Sequence, residues 1–269
     1  MAYNVKVAAI IPARYGSTRL PCKPLIEIKG KPLIQYVYER VRLSAVQQVI
    51  VATDDERIVA AVKGFGGEAV LTSSHHRSGT ERVAEVAAGI DADIVVNVQG
   101  DEPLIQPEAI DKAIIPFTQV PSIMATTLIT SLAEGADLYN PHVVKVVVDH
   151  DGFALYFSRS PIPYPKELLG ETDDDLRKGF TLIAGPEVAL SPIGKDTLQG
   201  YWQHIGLYAF RRAFLLKLTT LPPSHLEKQE GLEQLRILEN GYKIKTVISS
   251  APSIGIDTPE DIERFKALI

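Results

Sequence analysis

The feature that most constrains the fold is an alternation in the first half of the chain, where short apolar runs are separated by segments with a helical period. Val5 to Ile11, apolar but for Lys6 and ended by Pro12, reads as a buried parallel strand. Leu33 to Leu43 carries Leu33, Val37 and Val41 at helical spacing, with Pro32 suitably placed near its start. Gln48 to Ala52 is a second strand, stopped by Thr53-Asp54-Asp55, and Glu56 to Val62 is a short helix closed by Gly64-Phe65-Gly66-Gly67. Ala69 to Leu71 is a third strand, Glu81 to Ala88 a helix, and Ile94 to Val98 a fourth strand. Repeated strand–helix units of this kind predict a mostly parallel sheet with helices on both faces.

The second half is less regular. Ile123 to Thr130, Val143 to Val148 and Phe153 to Phe157 are rich in strand-forming residues, and the short Asp149–Gly152 link predicts a hairpin. Glycine, proline and charge accumulate from Pro161 to Gln199 without a period, which reads as a long loop or excursion. His204 to Phe210 returns to strand character, Leu226 to Glu239 reads as one helix stopped by Asn240-Gly241, and Lys243 to Ile248 is a strand. Thr258 as N-cap, Pro259 at the first position and the acids after it open a last helix.

Composition narrows the function. The 269 residues suffice for one large domain, or a main domain with a smaller lobe. The formal net charge of −5 disfavours a sequence-independent nucleic-acid or membrane-surface binder. Cys22 is the only cysteine, which excludes an intrachain disulfide and a cysteine-based zinc cage. The N-terminus lacks the pattern of a signal peptide, and no apolar stretch approaches the ~20 residues of a membrane span. The expectation is a cytoplasmic protein.

An open parallel sheet places ligands beyond the carboxyl ends of its strands. Two strand-end loops carry chemistry there. The loop Pro12 to Pro24 sets Arg14, Arg19 and Lys23 beside Gly16, Ser17 and Thr18, an assembly of cations, hydroxyls and accessible backbone that suits a triphosphate. By itself it reads equally well as a solvated basic loop, and it is neither a Walker loop nor a dinucleotide fingerprint. The loop Asn97 to Pro103 puts Asp101 next to Gly100, a natural place for a magnesium ligand, and Asp257 has a similar setting in Gly255 to Asp261. Taken alone, Asp101 reads rather as a turn acid and Asp257 rather as a helix N-terminal acid.

The strings IIPARYGSTRLPCKPL, SGTERVAEV, VNVQGDEPLI, ALYFSRSPIP, HIGLYAF, LEQLRILENG and IDTPEDIERF, in this order from Val7 to Phe265, resemble the 3-deoxy-manno-octulosonate cytidylyltransferases, or CMP-Kdo synthetases. The resemblance implies a nucleotide-diphospho-sugar-transferase-like, Rossmann-like α/β fold with a mostly parallel sheet and a smaller β-rich dimerisation lobe. It implies one cytidylyltransferase domain over residues 1–269, with the lobe at about 140–210. It further implies a homodimer and Mg²⁺-dependent attack of the sugar's C2 hydroxyl on the α-phosphorus of CTP, with Kdo as acceptor, in lipopolysaccharide biosynthesis. Carried over by position, Arg19, Lys23 and Asp101 are catalytic. Pro12, Ala13, Arg14, Ser17, Arg19, Lys23, Ser78, Gly79, Thr80 and Arg82 hold the nucleotide. Gln99, Arg159, His204, Glu233 and Gln234 approach the sugar acid, and Asp101 and Asp257 take the metal. Arg159 also reads as a surface ion pair, and His204 as a satisfied half-buried histidine. If the helix is continuous, Glu230 and Gln234 share a face and Glu233 lies roughly 100° from Gln234.

Two features depart from the family pattern. Cys22 stands where the family usually shows glycine in LPGKPL; a positive φ there would strain a cysteine, and the expectation is a loop that tolerates a side chain. The stretch Lys166 to Tyr201, with the apolar piece Phe180 to Leu190, is also longer than expected. The nearest competing function is the same chemistry on 8-amino-Kdo or a sialic acid, and Glu81 in SGTER and Glu102 in QGDEP look more like the Kdo enzyme. A dehydrogenase is disfavoured because no dinucleotide fingerprint follows the first strand. A catalytically inactive nucleotide-binding subunit is opposed by the presence of Arg19, Lys23, Asp101 and Asp257.

Overall fold

The computed structural model describes residues 5–16, 20–132, 134–164, 198, 200–250 and 255–269. The chain forms two compact units, the first from residues 1–128, 206–222 and 249–269, the second from 129–205 and 223–248.

The first unit is arranged about β1 (Val7–Ala13). After a small hairpin of β2 (Glu27–Ile28) and β3 (Lys31–Pro32), helix α1 (Leu33–Arg42) leads to β4 (Gln48–Thr53), which pairs parallel to β1 from Ala8↔Gln48 to Ala13↔Thr53. Helix α2 (Glu56–Gly64) leads to β5 (Glu68–Leu71), parallel to β4 on its outer side. Helix α3 (Gly79–Ala88) leads to β6 (Ile94–Asn97), parallel to β1 on the other side. The continuous apolar character of these strands has its physical reason in full burial, since Ile10, Ile11, Ile50, Val51, Val95 and Val96 are all closed off from solvent. Helix α1 turns Leu33, Ile34, Val37 and Val41 inward, the expected stripe.

Caps fix where the helices begin. Asp55 accepts from the backbone N–H of Arg57 at 2.9 Å to start α2, and Ser78 accepts from that of Glu81 at 3.2 Å to start α3.

The structure departs from the sequence reading at several points. Pro12 does not end β1, which continues to Ala13. Pairing with β6 stops at Ile10, so only one side of the strand is laddered at Pro12 and its missing N–H is tolerated. The helix α4 (Pro107–Gln119) was not expected, because Pro116 inside it masks the inward row Ala109, Ile110, Ala113, Ile114 and Phe117. After β7 (Ala125–Ser131), the short α5 (Gly135–Tyr139) was likewise not foreseen.

In the second unit β8 (Lys145–Val148) and β9 (Ala154–Ser158) form the expected antiparallel hairpin, turned at Gly152 with φ +73°. The start of β10 (Trp202–Arg211) pairs with β8 at Trp202↔Val146, while its end, Tyr208 to Arg211, runs antiparallel to β6 in the first unit's sheet. The helix α6 (Arg212–Leu218) that follows was also unforeseen. A further correction concerns the single helix expected over Leu226 to Glu239. It is two helices, α7 (His225–Glu230) and α8 (Leu235–Glu239), because Gly231 takes a left-handed φ of +63° and caps the first. The face shared by Glu230 and Gln234 therefore does not exist. β11 (Ile244–Ile248) and α9 (Pro259–Leu268) complete the order, the latter with the Thr258 cap as expected.

One close approach sets the position of the β6 loop against the β1 loop. A Cβ on Gly100 would lie 2.7 Å from the Pro12 carbonyl oxygen, a distance no side chain tolerates. Gly100→Ala is expected to destabilise the chain by about 1–3 kcal/mol, the usual effect of overpacking, measured by urea unfolding. An unchanged midpoint would show that the two loops separate freely.

Candidate active site

The carboxyl ends of β1, β4 and β6 share one edge, because the three strands are parallel. At this edge a cavity of about 310 Å³ is lined by Pro12, Ala13, Arg14, Lys23 and Pro24 of the first loop and by His76, Arg77, Ser78, Gly79 and Arg82 at the start of α3. Gln99, Gly100 and Asp101 after β6, with Asp257 before α9, complete it. All belong to the first unit.

At its centre the Lys23 ammonium donates to Asp101 Oδ2 at 2.7 Å, to Asp257 Oδ1 at 2.9 Å and to the Ile256 carbonyl at 2.8 Å. Packing holds these distant segments together. Leu20 and Ile256 are buried in one cluster with Ile28, Leu33 and Phe265, which seats both the Lys23 loop and the Asp257 turn. The Ile256 N–H also donates to the Asp101 carbonyl at 2.9 Å. Burial works against charge on Lys23, but the attraction of Asp101 and the hydrogen bonds to Asp101 and Asp257 outweigh it and raise its pKa.

Around this centre the loop is braced. Tyr15 lies under the Arg57 guanidinium at 3.4 Å, and Arg57 pairs in bidentate fashion with Asp55 at 2.8 and 2.6 Å. Arg14 is exposed and faces the cavity. Arg82 lines it too, but its buried guanidinium is committed to Asp54 at 2.8 Å and to Thr72 and Ser73. Gly79 packs its α-carbon side 3.2 Å from the Pro12 ring, measured to an added Cβ, which brings the start of α3 against the first loop.

Of the residues expected here, Pro12, Ala13, Arg14, Lys23, Ser78, Gly79, Arg82, Gln99, Asp101 and Asp257 line one cavity. Thr80 is on the buried face of α3 and is not among the lining residues. Ser17 and Arg19 lie outside the described residues, as does most of the Lys166 to Tyr201 stretch. His76, Arg77 and Pro24 were missed, although His76 and Arg77 directly precede Ser78-Gly79 in sequence. The His76 ring is paired with Glu85.

The remaining candidates belong to the second unit. Arg159 donates from Nε to the Glu230 carbonyl at 2.8 Å and from Nη1 to the Pro141 carbonyl at 2.8 Å, so it is not a surface ion pair. His204 packs edge-on against Phe157, with ring centroids 5.1 Å apart, and burial holds its pKa well below the ordinary histidine range, so the ring is neutral. Glu230 accepts from the Ser158 hydroxyl at 2.6 Å and from the Arg159 N–H at 2.9 Å. Gln234 is buried, and Glu233 stands in the turn between α7 and α8.

Among the described residues no three His, Cys, Asp or Glu side chains converge as a metal cage. The two carboxylates and one carbonyl on the Lys23 ammonium are nevertheless a hard-cation donor set, already gathered around a positive charge.

Fold and cavity together define a nucleotide-diphospho-sugar-transferase-like protein. Residues 8–244 match the family model described as cytidylyltransferase. The 3-deoxy-manno-octulosonate cytidylyltransferase of Geotalea daltonii is 49% identical over 97% of this chain and 96% of its own length. That of Solibacter usitatus is 44% identical over 98% and 94%. A solved structure of CMP:2-keto-3-deoxy-manno-octonic acid synthetase complexed with CTP superposes with a TM-score of 0.83 at 42% identity, covering 98% of each chain. A cytidylyltransferase from Leptospira borgpetersenii, 18% identical, shares the fold with a TM-score of 0.60 over 98% of this chain and 86% of its own. The chain belongs to the cytidylyltransferase family, and within it to the 3-deoxy-manno-octulosonate cytidylyltransferases.

Cys22 takes φ 58° and ψ 24°, the left-handed region, so the position does demand positive φ and holds its side chain under strain. A left-handed non-glycine residue costs roughly 1–2 kcal/mol, partly offset because glycine loosens the unfolded chain. Cys22→Gly is therefore expected to raise stability by about 0.5–1 kcal/mol with activity retained, as read from urea unfolding and turnover. A less stable variant would show that the thiol's contacts outweigh the backbone strain.

Proposed function

We propose that this protein transfers CMP from CTP to 3-deoxy-D-manno-octulosonate, releasing pyrophosphate and supplying CMP-Kdo for lipopolysaccharide assembly. The observation that carries the reading is the convergence of Lys23, Asp101 and Asp257 in a cavity whose rim is the Arg14 loop and the start of α3. In the reaction the sugar's C2 hydroxyl gives its proton to solvent as its oxygen bonds to the α-phosphorus, the bond from that phosphorus to the bridging oxygen breaks, and pyrophosphate leaves.

Such a transfer is accelerated chiefly by positioning and by neutralising charge on phosphate oxygens. Arg14, Lys23 and Arg77 are the described cations of the cavity that can do so, Arg82 being committed to Asp54, and Arg19 joins them through the family resemblance. The N–H groups at the start of α3 present the positive end of the helix dipole. Asp101 and Asp257 would hold Mg²⁺, which supplies Lewis-acid stabilisation of the phosphate charge. Lys23, once released from the two carboxylates, is free to bind a phosphate oxygen. Gln99, Arg159, His204, Glu233 and Gln234 are assigned to the acidic sugar. Arg159 is the natural partner for its carboxylate.

A homodimer belongs to the same reading, with the β-rich residues of about 140–210 as the associating lobe of one cytidylyltransferase domain. Its support is that Leu155 on β9 and Tyr164 beyond it are large apolar side chains left exposed. The described residues contain no helix long and apolar enough to cross a membrane. The CTP requirement goes with a cytoplasmic location.

The deciding assay is pyrophosphate release with CTP, UTP or ATP as donor and Kdo, 8-amino-Kdo or sialic acid as acceptor. CTP with Kdo is expected to be the fastest pair, and a faster reaction with another acceptor would replace the sugar assignment. Asp101→Asn and Asp257→Asn are expected to lose most activity with unchanged melting, because each acid sits in a loop rather than in the core. Near-normal turnover by either at low millimolar magnesium would remove it from the metal site.

Lys23 gives a test of the metal reading without turnover. Its ammonium already occupies the carboxylate pair, so a divalent cation must displace it. Lys23→Ala is expected to bind Mn²⁺ at least ~10-fold more tightly than wild type in the absence of nucleotide, while losing ~10²-fold or more in turnover with CTP. Weaker or equal Mn²⁺ binding, measured by electron paramagnetic resonance, would mean that the two acids do not take a metal.

A further inference from the structure

Lys145, the first residue of β8, is wholly buried, and all three of its ammonium protons are taken by backbone carbonyls. It donates to Asn140 at 2.8 Å and Val143 at 2.6 Å in the loop before β8, and to Arg159 at 2.6 Å just after β9. A buried ammonium is an expensive way to tie two loops, since an apolar residue would avoid the desolvation. What it ties explains its presence. The Arg159 main chain is held from one side by Lys145 and from the other by Glu230, whose carboxylate accepts the Arg159 N–H at 2.9 Å. The Arg159 side chain is held by the carbonyls of Glu230 and Pro141 and, at 3.5 Å, of Gly231, and Pro141 lies inside the same loop that Lys145 grips at Asn140 and Val143. Lys145 thus fixes both the backbone of Arg159 and the carbonyl platform under its guanidinium. The Nε contact is partly buried, whereas the Nη contact lies at the surface.

We propose that Lys145 is a positioning residue for the acidic sugar: by fixing Arg159 before substrate arrives, it presets the guanidinium that receives the sugar carboxylate. The inference rests on the reading of Arg159 as the carboxylate's partner. A guanidinium whose planar fork is already oriented loses little freedom on pairing, so the gain appears in substrate affinity rather than in the chemical step. The charged groups facing Lys145 are Glu230 from α7, Arg159 after β9 and Asp137 from α5. Burial pulls its pKa down to about 8, with Glu230 opposing the shift and Arg159 adding to it.

The test is steady-state kinetics of pyrophosphate release with CTP and Kdo varied in turn, on Lys145→Met, Arg159→Ala and the double variant. The expected result for Lys145→Met is a Kdo KM raised at least ~10-fold, with CTP KM and kcat within about threefold of wild type. Arg159→Ala is expected to raise the Kdo KM at least as much, and Lys145→Met to add little in that background, because the two act as one unit. A folded Lys145→Met with an unchanged Kdo KM overturns the proposal, as does full additivity in the double variant. A uniform loss in both substrates would reduce Lys145 to a structural role and also overturn it. Should Arg159→Ala leave the Kdo KM unchanged while Kdo remains the acceptor, the Arg159 assignment falls, and the proposal with it, but the transferase reading stands. If Lys145→Met does not fold, the wild type decides. Its Kdo KM is expected to rise as pH passes about 8 and the ammonium loses its proton, with CTP KM level; a flat Kdo KM from pH 7 to 9.5 overturns the proposal.

Discussion

Parallel pairing of β1 with β4 and β6 is the constraint from which the first unit's chemistry follows. Strands that run the same way end at the same edge, so the loops after Ala13, Thr53 and Asn97 are delivered to one place. Nothing in their separation along the chain would otherwise bring Lys23 to Asp101 and Asp257. The sheet does this because its strands are short and apolar on both faces, which forces helices to cover each side and makes every connection a crossover. Gly100 then allows the β6 loop to touch the Pro12 carbonyl, and Leu20 with Ile256 closes the third side.

The charge balance at that edge accounts for its donor set. Two carboxylates within hydrogen-bond reach of one ammonium leave a net negative charge, and a triphosphate would bring more. An arrangement of this kind is stable without substrate because Lys23 compensates part of the repulsion. Arg14 and Arg77 on the cavity's lining offset part of that charge, and a divalent cation on the two carboxylates would offset more. The same lysine therefore has two uses, a counter-ion for the acids at rest and a ligand for phosphate oxygens in reaction.

The sheet was readable because full burial imposes apolar runs, and β4, β5 and β6 fall within a residue or two of expectation. What escaped reading depends on single residues whose backbone role sequence does not announce. Pro12 continues a strand where only one edge is paired, Pro116 sits inside α4, and Gly231 breaks one expected helix into α7 and α8. Asn240-Gly241 reads as the stop of one helix, while Gly231, equally a glycine on the same segment, is the residue that ends the first of two. In the site, the residue types of Lys23, Asp101 and Asp257 were legible, but each alone was ambiguous. Their convergence is tertiary information, carried at the sequence level only by the ordered family motifs. His76 and Arg77 escape for the opposite reason, since they stand just outside the motif SGTERVAEV that carries the resemblance.

The second unit shows a different relation between sequence and role. Arg159, His204 and Glu230 carry chemistry that invites direct functional assignment, yet much of it is spent on the fold. Glu230 serves Ser158 and the Arg159 backbone, His204 is kept neutral against Phe157, and Arg159 leans on three carbonyls. Such commitments do not disqualify a residue from binding. A guanidinium has five N–H donors, so one that spends some on carbonyls retains others for a carboxylate, in a fixed orientation. A carboxylate with both oxygens engaged has less to offer, which separates Arg159 from Glu230 although they touch. Orientation settled before binding removes an entropic penalty that a mobile arginine would meet afterwards. A residue's internal hydrogen bonds in this unit therefore measure how far it is preorganised, and only the donors left over decide whether it can recognise a ligand.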